Sequence, residues 1–241
     1  MLLIGDEIKE FARRQGADLV GFAPVERLAG APPGTRPEDS LPNARSVIAL
    51  AKRCSSGGIE AGRPSNYRRE MAVIFDQLDA LAVAVVNFIE RRGWRAVPIP
   101  ADDPFDTWDG EQEIVRGNIS HKHVAQAAGL GVVGKNSLLI TPRYGNRVYL
   151  VSVVTDVELQ ADELLAENLC LECGACLRAC PVQAIGPDGI VSQRLCRQNT
   201  DVQTEWGFSF FDCWACRSVC PQGSGVIQPR DRCEQLDFFM K

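Results

Sequence analysis

The chain has 241 residues, 45% of them hydrophobic and 24% charged, which is the composition of an ordinary soluble globular protein. Its net charge of −5 argues against a nucleic-acid groove, because such a groove requires a basic face. The opening MLLIGDEIKEFARRQG breaks its apolar run after Ile4, unlike a signal peptide, and no stretch approaches the roughly 20 apolar residues of a membrane helix, so we expect a cytoplasmic protein without membrane contact.

Helix and strand patterns alternate through the first half of the chain. Apolar residues at helical spacing predict an amphipathic helix over residues 2–15, and a short buried strand follows over 18–25. A turn and a second core strand are expected over 42–51. Over residues 66–92, apolar positions recur every three or four residues, which predicts one long helix ended by Gly93.

A third strand is predicted over residues 94–99. It is expected at an edge of the sheet, because Pro98 cannot donate a hydrogen bond to a neighbouring strand. The acidic stretch that follows, residues 101–113, is interpreted as a solvated loop.

Residues 118–128 are predicted to form a short helix that carries His121 and His123. Residues two apart on a helix point to different sides, so these two histidines cannot chelate one ion together. Each is expected to have a surface or capping role, with the lining of a pocket as the alternative.

The next segment contains three glycines spaced as G-x-G-x-x-G: Gly129, Gly131 and Gly134. This pattern marks a dinucleotide site where a strand precedes the glycines and a helix follows them. Here the predicted order is reversed, with a strand over 137–140 after the glycines, so we expect no dinucleotide site. The sequence predicts instead a turn of bare backbone N–H groups beside Lys135, Asn136 and Ser137, suited to an anionic or amide-rich ligand tail.

Tyr144 and Gly145 are predicted to make a hairpin turn into a strand over 147–155, and residues 162–168 are predicted to form a linker helix. The alternation of helices and strands before residue 160 indicates an α+β sheet domain. We therefore divide the chain into an α+β domain over 1–160 and a second lobe over 161–241.

Cysteines dominate the second lobe. Four have the spacing C-x2-C-x2-C-x3-C-P, with which bacterial ferredoxins hold iron–sulfur clusters: Cys170, Cys173, Cys176 and Cys180. A second run is shortened to C-x2-C-x3-C-P and has its remaining cysteine displaced upstream: Cys196, Cys213, Cys216 and Cys220. Aromatic residues that could pack around a cluster and shield it gather near the second run: Trp206, Phe208, Phe210, Phe211 and Trp214.

Eight thiolates are the number that two [4Fe–4S] clusters require, and the fourth cysteine of such a run ligates the other cluster. We assign one cluster to the first thiol set: Cys170, Cys173, Cys176 and Cys220. We assign the other cluster to the second thiol set: Cys180, Cys196, Cys213 and Cys216.

Cysteines at these spacings have two other uses in proteins. Structural zinc is the main alternative, because C-x2-C pairs also bind zinc, although zinc sites do not need the C-x3-C-P endings. A disulfide framework is disfavoured, because nothing else in the sequence indicates secretion. Cys54 and Cys233 have no partners at ligand spacing and are expected to be buried or free thiols.

With these motifs in place, the chain resembles the iron–sulfur and corrinoid reductases that include the epoxyqueuosine reductases and, more distantly, the reductive dehalogenases. The stretches that carry the resemblance are PNARSVIALA, AAGLGVVGKNSLLITPRYGNRVYLVSVVTD, CLECGACLRACPVQAI, Cys196 and CWACRSVCP. The resemblance extends over most of the chain and is most specific in the cysteine pattern.

The resemblance implies a nitroreductase-like α+β domain that binds cobalamin, followed by a ferredoxin-like lobe with two clusters over the corrin face. It implies corrinoid contacts from both lobes: Lys135, Asn136, Ser137, Tyr144, Arg197, Gln198 and Asn199. Electrons would come from an external low-potential donor of the ferredoxin or flavodoxin type and pass through the clusters to cobalt.

Two departures from the family bear on the activity. Epoxyqueuosine reductases carry a catalytic Asp in a D-S-x-P-V-x-E-R stretch shortly before A-G-L-G, and Val115 holds that place here. The chain also ends soon after Cys220, without the C-terminal region that helps those enzymes grip tRNA. We therefore expect a cobalamin-dependent reductase of a small organic substrate, with Glu113, Tyr144 and His121 as candidate proton donors. The alternative is an electron-transfer or corrinoid-reducing protein without a substrate of its own.

Overall fold

The computed structural model describes residues 4–102, 107–109, 114–203, 209–211 and 213–225, and it describes 107–109, 114–115, 201–203 and 209–211 only as strands. The helices are α1 (Ile4–Arg14), α2 (Pro37–Ser40), α3 (Ser56–Glu60), α4 (Pro64–Glu90), α5 (His121–Ala127), α6 (Ala175–Ala179), α7 (Gln193–Thr200) and α8 (Ala215–Ser218), with a 3-10 turn at Val25–Leu28. The strands are β1 (Leu19–Pro24), β2 (Ser46–Arg53), β3 (Ala96–Ile99), β4 (Thr107–Asp109), β5 (Ile114–Arg116), β6 (Val132–Val133), β7 (Leu139–Ile140), β8 (Val148–Thr155), β9 (Asp201–Gln203) and β10 (Ser209–Phe211).

A four-stranded antiparallel sheet forms the centre of the first lobe, in the order β1-β2-β8-β3. Its two long strands pair over their full length, with Ile48 opposite Val153. The strand β3 lies at the edge, which confirms the position predicted from Pro98. The sheet mixed with helices confirms an α+β class for this lobe.

Alternation along the strands divides the interior into two cores. In β2, Ile48 and Leu50 face one core, while Val47, Ala49 and Ala51 face the other. The first core is closed by α1 and α4, whose buried residues include Ile8, Leu78 and Ile89, and the second by α5. Because side chains alternate between the two faces of a strand, one sheet can be covered on both sides.

The helix α4 is the long helix predicted from the apolar spacing. By length and apolar composition alone it could cross a membrane, a test that the core helix of a soluble protein also passes. Here its inner face packs on the sheet through Leu78, Leu81, Val85 and Ile89.

The glycine segment folds as helix, hairpin and turn, not as strand, glycine loop and helix. After α5 the chain makes the short hairpin β6–β7, with Val132 opposite Ile140. A side chain on Gly131 would place its Cβ 2.2 Å from the Ile140 carbonyl oxygen, so this glycine permits close backbone approach within the hairpin. A helix before the glycines and a strand after them is the order that the sequence predicted.

Two local predictions need correction. Residues 162–168 are not helical, because Asp162 bonds to the outer strand β1. The Asp162 N–H donates to the Phe22 carbonyl at 3.0 Å, and the Phe22 N–H donates to the Asp162 carboxylate at 2.8 Å. The turn at Tyr144 and Gly145 exists, but it closes on Thr141. It does not make β8 the hairpin partner of β7.

Candidate functional site

The first thiol set lines a small cavity of about 20 Å³, bordered also by Lys135, Gln222 and Asn136. Cys170 and Cys173 come from the segment that leads into α6, Cys176 lies in the first turn of α6, and Cys220 follows α8. Burial raises the pKa of the Cys220 thiol, and the nearby Cys170, Cys176 and Cys173 raise it further. The fold therefore brings these four thiols, three from the first cysteine run and one from the second, to one place.

The second thiol set lines a larger cavity of about 450 Å³. Burial, together with the nearby Cys213 and Cys196, raises the pKa of the Cys216 thiol to about 11, and Arg217 partly opposes this rise. The backbone N–H of Ala184 donates to the Cys180 sulfur at 3.2 Å. Hydrogen bonds from backbone N–H groups to thiolate sulfurs are typical of iron–sulfur sites.

The donor chemistry of both cavities fits iron–sulfur clusters, since each is bordered by four sulfurs, the ligand that such clusters use. Among the described residues, no three Cys, His, Asp or Glu side chains are grouped so as to hold a single metal ion. Cys54 is buried and free, as expected, whereas Cys233 lies outside the described residues.

The rest of the large cavity is walled by aromatic side chains, which we call the aromatic wall: Tyr67, Phe75, Tyr149 and Trp214. The Tyr149 hydroxyl donates to the Tyr67 hydroxyl at 2.8 Å, and the Tyr67 and Trp214 ring centres lie 4.9 Å apart. Sequence reasoning identified Trp214 near the second cysteine run but missed the three others. The signal of Tyr67 and Phe75 was present in α4, where Tyr67, Met71 and Phe75 recur every four residues on one face, whereas Tyr149 in β8 had no such signal. Trp206 and Phe208 lie outside the described residues, as do the side chains of Phe210 and Phe211.

The helix α7 presents one face to this cavity. Four residues spaced three or four apart along α7 border the cavity: Gln193, Cys196, Arg197 and Thr200. Asn199 borders it as well. Gln198 does not border it. Of the three residues here that the family resemblance places at a corrinoid, the helix thus directs Arg197 and Asn199 to the cavity.

The four residues predicted in the glycine segment lie in different surroundings. Asn136 is buried, borders both thiol cavities and donates from its amide to the Cys216 carbonyl at 3.1 Å. Lys135 borders only the small cavity and forms an ion pair with Glu172 at 3.5 Å. Ser137 accepts a hydrogen bond from Lys122, and Tyr144 packs against the second core. The structure brings Asn136 to the large cavity and leaves the other three outside its lining.

A neighbouring cavity of about 660 Å³ shares Asp102 and Gln193 with the large cavity. His121 and His123 border it. His121 was expected to have a surface or capping role, but its ring nitrogens bond inside the protein, to the Ser152 hydroxyl and the Pro100 carbonyl, each at 2.8 Å. His123 is exposed, which agrees with a surface role, and its Nδ1 lies 2.8 Å from the Ser120 hydroxyl.

The second lobe is joined to the sheet by Arg217, which follows Cys216 in α8. Only 6% of Arg217 is exposed. Its guanidinium donates to the carbonyls of Asn146 and Val148 at the start of β8 and lies 4.7 Å from the centre of the Tyr149 ring. The Asn146 amide donates back to the Arg217 carbonyl at 3.2 Å. Sequence reasoning missed this residue, because an arginine between two cysteines has no spacing signature.

Comparison with known proteins supports this description. Residues 166–186 match the 4Fe-4S binding domain family. The chain is 30% identical over 213 residues to the epoxyqueuosine reductase of Synechocystis sp., covering 79% of this chain and 67% of that protein. It is 26% identical over 257 residues to the epoxyqueuosine reductase of Bacillus subtilis, covering 91% of this chain and 64% of that protein. The chain therefore spans about two thirds or less of the length of these relatives.

Solved structures share the fold. A structure of the Bacillus subtilis epoxyqueuosine reductase superposes with a TM-score of 0.62 at 22% identity, covering 94% of this chain and 67% of that one. A reductive dehalogenase, whose structure is described as suggesting a mechanism for B12-dependent dehalogenation, superposes with a TM-score of 0.70 at 18% identity, covering 97% of this chain and 34% of that one.

Proposed function

Because the chain belongs to the epoxyqueuosine reductase family, we propose that it is an iron–sulfur oxidoreductase that holds two [4Fe–4S] clusters and a cobalamin and reduces a small organic substrate. The observation that carries this proposal is the separation of eight thiols into two cavities, with four thiols around each. Residues 166–186, which match a 4Fe-4S binding domain, include the first three thiols of one set and Cys180 of the other.

The thiols would hold the clusters in the crosswise pattern. We propose the first thiol set as the ligands of one cluster and the second thiol set as the ligands of the other. The clusters would supply one-electron transfer, and the corrinoid would supply the low-potential metal that acts on the substrate. The protein's part is to position these groups and to keep water from the second thiol set by means of the aromatic wall.

The large cavity is the proposed corrinoid site. It has apolar aromatic walls for a flat ring system, and Asn136, Arg197 and Asn199 offer polar groups to amides at its edge. The adjoining cavity, reached past Asp102 and Gln193, provides further room. Together the two exceed the space of a drug-sized ligand, as a corrinoid requires. Lys135, Ser137, Tyr144 and Gln198 lie outside this lining and would act on the corrinoid only through neighbours.

We propose that the group that donates a proton to the substrate is one of the side chains that line the two cavities. Tyr67 accepts the hydrogen bond from Tyr149, so its own hydroxyl proton is directed elsewhere, and both phenols border the large cavity. Of the donors that the sequence suggested, His121 borders the adjoining cavity, and Tyr144 lies outside both linings. Glu113 lies outside the described residues.

Electrons would enter at the first thiol set. Cys173 is exposed, whereas the second thiol set lies beside the aromatic wall. We propose a ferredoxin or flavodoxin as donor in the cytoplasm. The acidic net charge supports a small substrate in place of tRNA.

The test is anaerobic purification followed by titration with cobalamin. We expect about eight iron and eight acid-labile sulfides per chain and a change in visible absorption when cobalamin is added. Dithionite should then reduce the clusters and the bound cobalt. A protein with both clusters that gives no spectral or calorimetric sign of cobalamin binding would rule out the corrinoid part of the proposal.

One observation favours the alternative, a protein that transfers electrons or reduces a corrinoid for a partner. Val115 stands where the family carries its catalytic aspartate, and valine cannot transfer a proton. Under this alternative, the reduced protein would pass electrons to an added corrinoid protein but would not turn over any small substrate.

A further inference from the structure

Arg217 carries a buried positive charge whose described partners are all formally neutral. Its guanidinium contacts the backbone carbonyls of Asn146 and Val148 and the face of the Tyr149 ring. In the part of the chain that the structure describes, no ion pair joins it to a carboxylate. A buried charge without an opposite charge is strongly unfavourable, so this position calls for an anion close by.

The groups that interact most with this charge are weak acids: Tyr149, Tyr67, Cys54 and Cys216. Tyr149 and Cys54 are neutral at neutral pH, since burial raises the pKa of each above its ordinary value. Cys216 differs, because as a cluster ligand it would be a thiolate. Among the groups that the structure describes around Arg217, the anion that this position calls for would therefore be the second cluster with its four thiolates.

Among the residues that the structure describes, none places a comparable charge beside the first thiol set. Lys135 is neutralised there by Glu172, and Arg178, which donates to the Cys173 carbonyl, is exposed to water. Water screens such a charge, whereas the interior around Arg217 does not. The two sets therefore differ in local electrostatics as well as in exposure.

Resting on the two clusters of the proposed function, we infer that Arg217 is the built-in counter-charge of the second cluster and makes it the more easily reduced of the two. Reduction adds one negative charge to a cluster, and a fixed positive charge in a poorly screened interior stabilises the reduced form. Electrons that enter at the exposed first thiol set then move inward, towards the large cavity.

The test compares reduction potentials in full-length protein, by redox titration followed by electron paramagnetic resonance. The iron content of the wild-type protein is measured first. A wild type with fewer than two clusters would contradict the proposed function and would leave no potentials to compare for Arg217. Cys196→Ala protein, which should lack the second cluster, identifies the signal of each cluster.

We expect Arg217→Gln to lower the reduced-to-oxidised ratio of the second cluster at least tenfold at a fixed potential, equivalent to about 59 mV for one electron. The first cluster should shift much less. Arg217→Lys, which keeps the charge and loses the planar fork, should restore most of the wild-type potential. The matched control, Arg178→Gln, removes an exposed charge beside the first thiol set and should change either ratio less than twofold.

Two results would overturn the inference: an unshifted second cluster in Arg217→Gln protein, or an equal shift in Arg217→Lys protein, which would indicate a purely structural role. A separate measurement covers the case in which Arg217→Gln protein fails to assemble. Wild-type protein reduced by one electron should carry that electron on the second cluster, and finding it mainly on the first contradicts the inference.

Discussion

Cys196 differs from the other members of the second thiol set because it lies in the middle of α7, apart from both closely spaced cysteine runs. Its replacement therefore tests the crosswise assignment most directly. Cys196→Ala protein should contain about four iron in place of about eight, since one cluster loses a ligand that no described neighbour can replace. Iron and sulfide analysis after anaerobic purification measures this.

Cys54→Ala is the matched control, because it removes a buried thiol that borders neither cavity. Its iron content should equal that of the wild type, although a small loss of core packing lowers stability. Retention of both clusters in Cys196→Ala protein would show that the ligand assignment is wrong.

His121 provides a prediction about pH at the same scale. The Pro100 carbonyl can only accept, so Nε2 carries the proton and Nδ1 accepts from the Ser152 hydroxyl. Burial lowers the pKa of His121 below its ordinary value, partly opposed by its bond to Pro100 and by Asp79. Stability from the neutral ring is complete above the unfolded pKa of about 6.5 and is lost as the pH falls through the lower folded value.

We therefore expect the wild type to lose more stability between about pH 7.5 and pH 5.5 than His121→Gln protein does. Urea unfolding of both proteins at the two pH values measures the difference, and any effect of acid on the clusters is common to both. His123→Gln is the control, because that ring is nearer to solvent, and its effect should be smaller. Equal losses in wild type and His121→Gln protein would contradict the prediction.

At the scale of elements, α7 divides the residues that the family resemblance grouped together. Arg197 borders the large cavity and Gln198 does not. A hydrogen bond to a charged group contributes about 1.5–3 kcal/mol, so Arg197→Ala should weaken cobalamin binding roughly 10- to 150-fold. Gln198→Ala is the matched neighbour and should bind like the wild type. Calorimetric titration measures both, and equal affinities for the two variants would place the corrinoid elsewhere.

The elements that sequence reasoning predicted well are those whose local chemistry decides their structure. Pro98 forced β3 to the edge, and apolar spacing defined α4. Residues 162–168 were predicted wrongly because Asp162 bonds to β1, a partner 140 positions away that no local pattern contains. The site divides in the same way: cysteine spacing identified the eight thiols, whereas Tyr149 and Arg217 became visible only when β8 and α8 met.

At the scale of the whole molecule, the two lobes differ in how much apolar core they contain. The sheet lobe has two cores, while the buried apolar residues of the described second lobe are few: Leu169, Ala184 and Ile185. A small unit with so little core depends on its metal groups for folding. The division at residue 160 remains a prediction, and removal of the clusters tests it.

Anaerobic removal of the clusters with a chelator should unfold the second lobe and leave the sheet lobe intact. Trypsin should then cut first after Arg178, Arg194 or Arg197, leaving a resistant fragment close to the predicted 1–160 domain. Gel analysis with and without chelator measures this. Equal resistance with and without clusters, or simultaneous digestion of both lobes, would contradict the prediction.

The central position of β8 also sets an order of events during protein synthesis. A nascent chain can pair β1 with β2 early, but the sheet closes only when β8, the last of its four strands to be made, inserts between β2 and β3. Chains emerge at about 5–20 residues per second, and their N-terminal parts fold first. The carbonyls of Asn146 and Val148 that receive Arg217 are thus synthesised before any of the eight thiols and before Arg217 itself. Variants that close the sheet slowly should accumulate cluster-free chains with oxidised thiols, even where their final stability is normal.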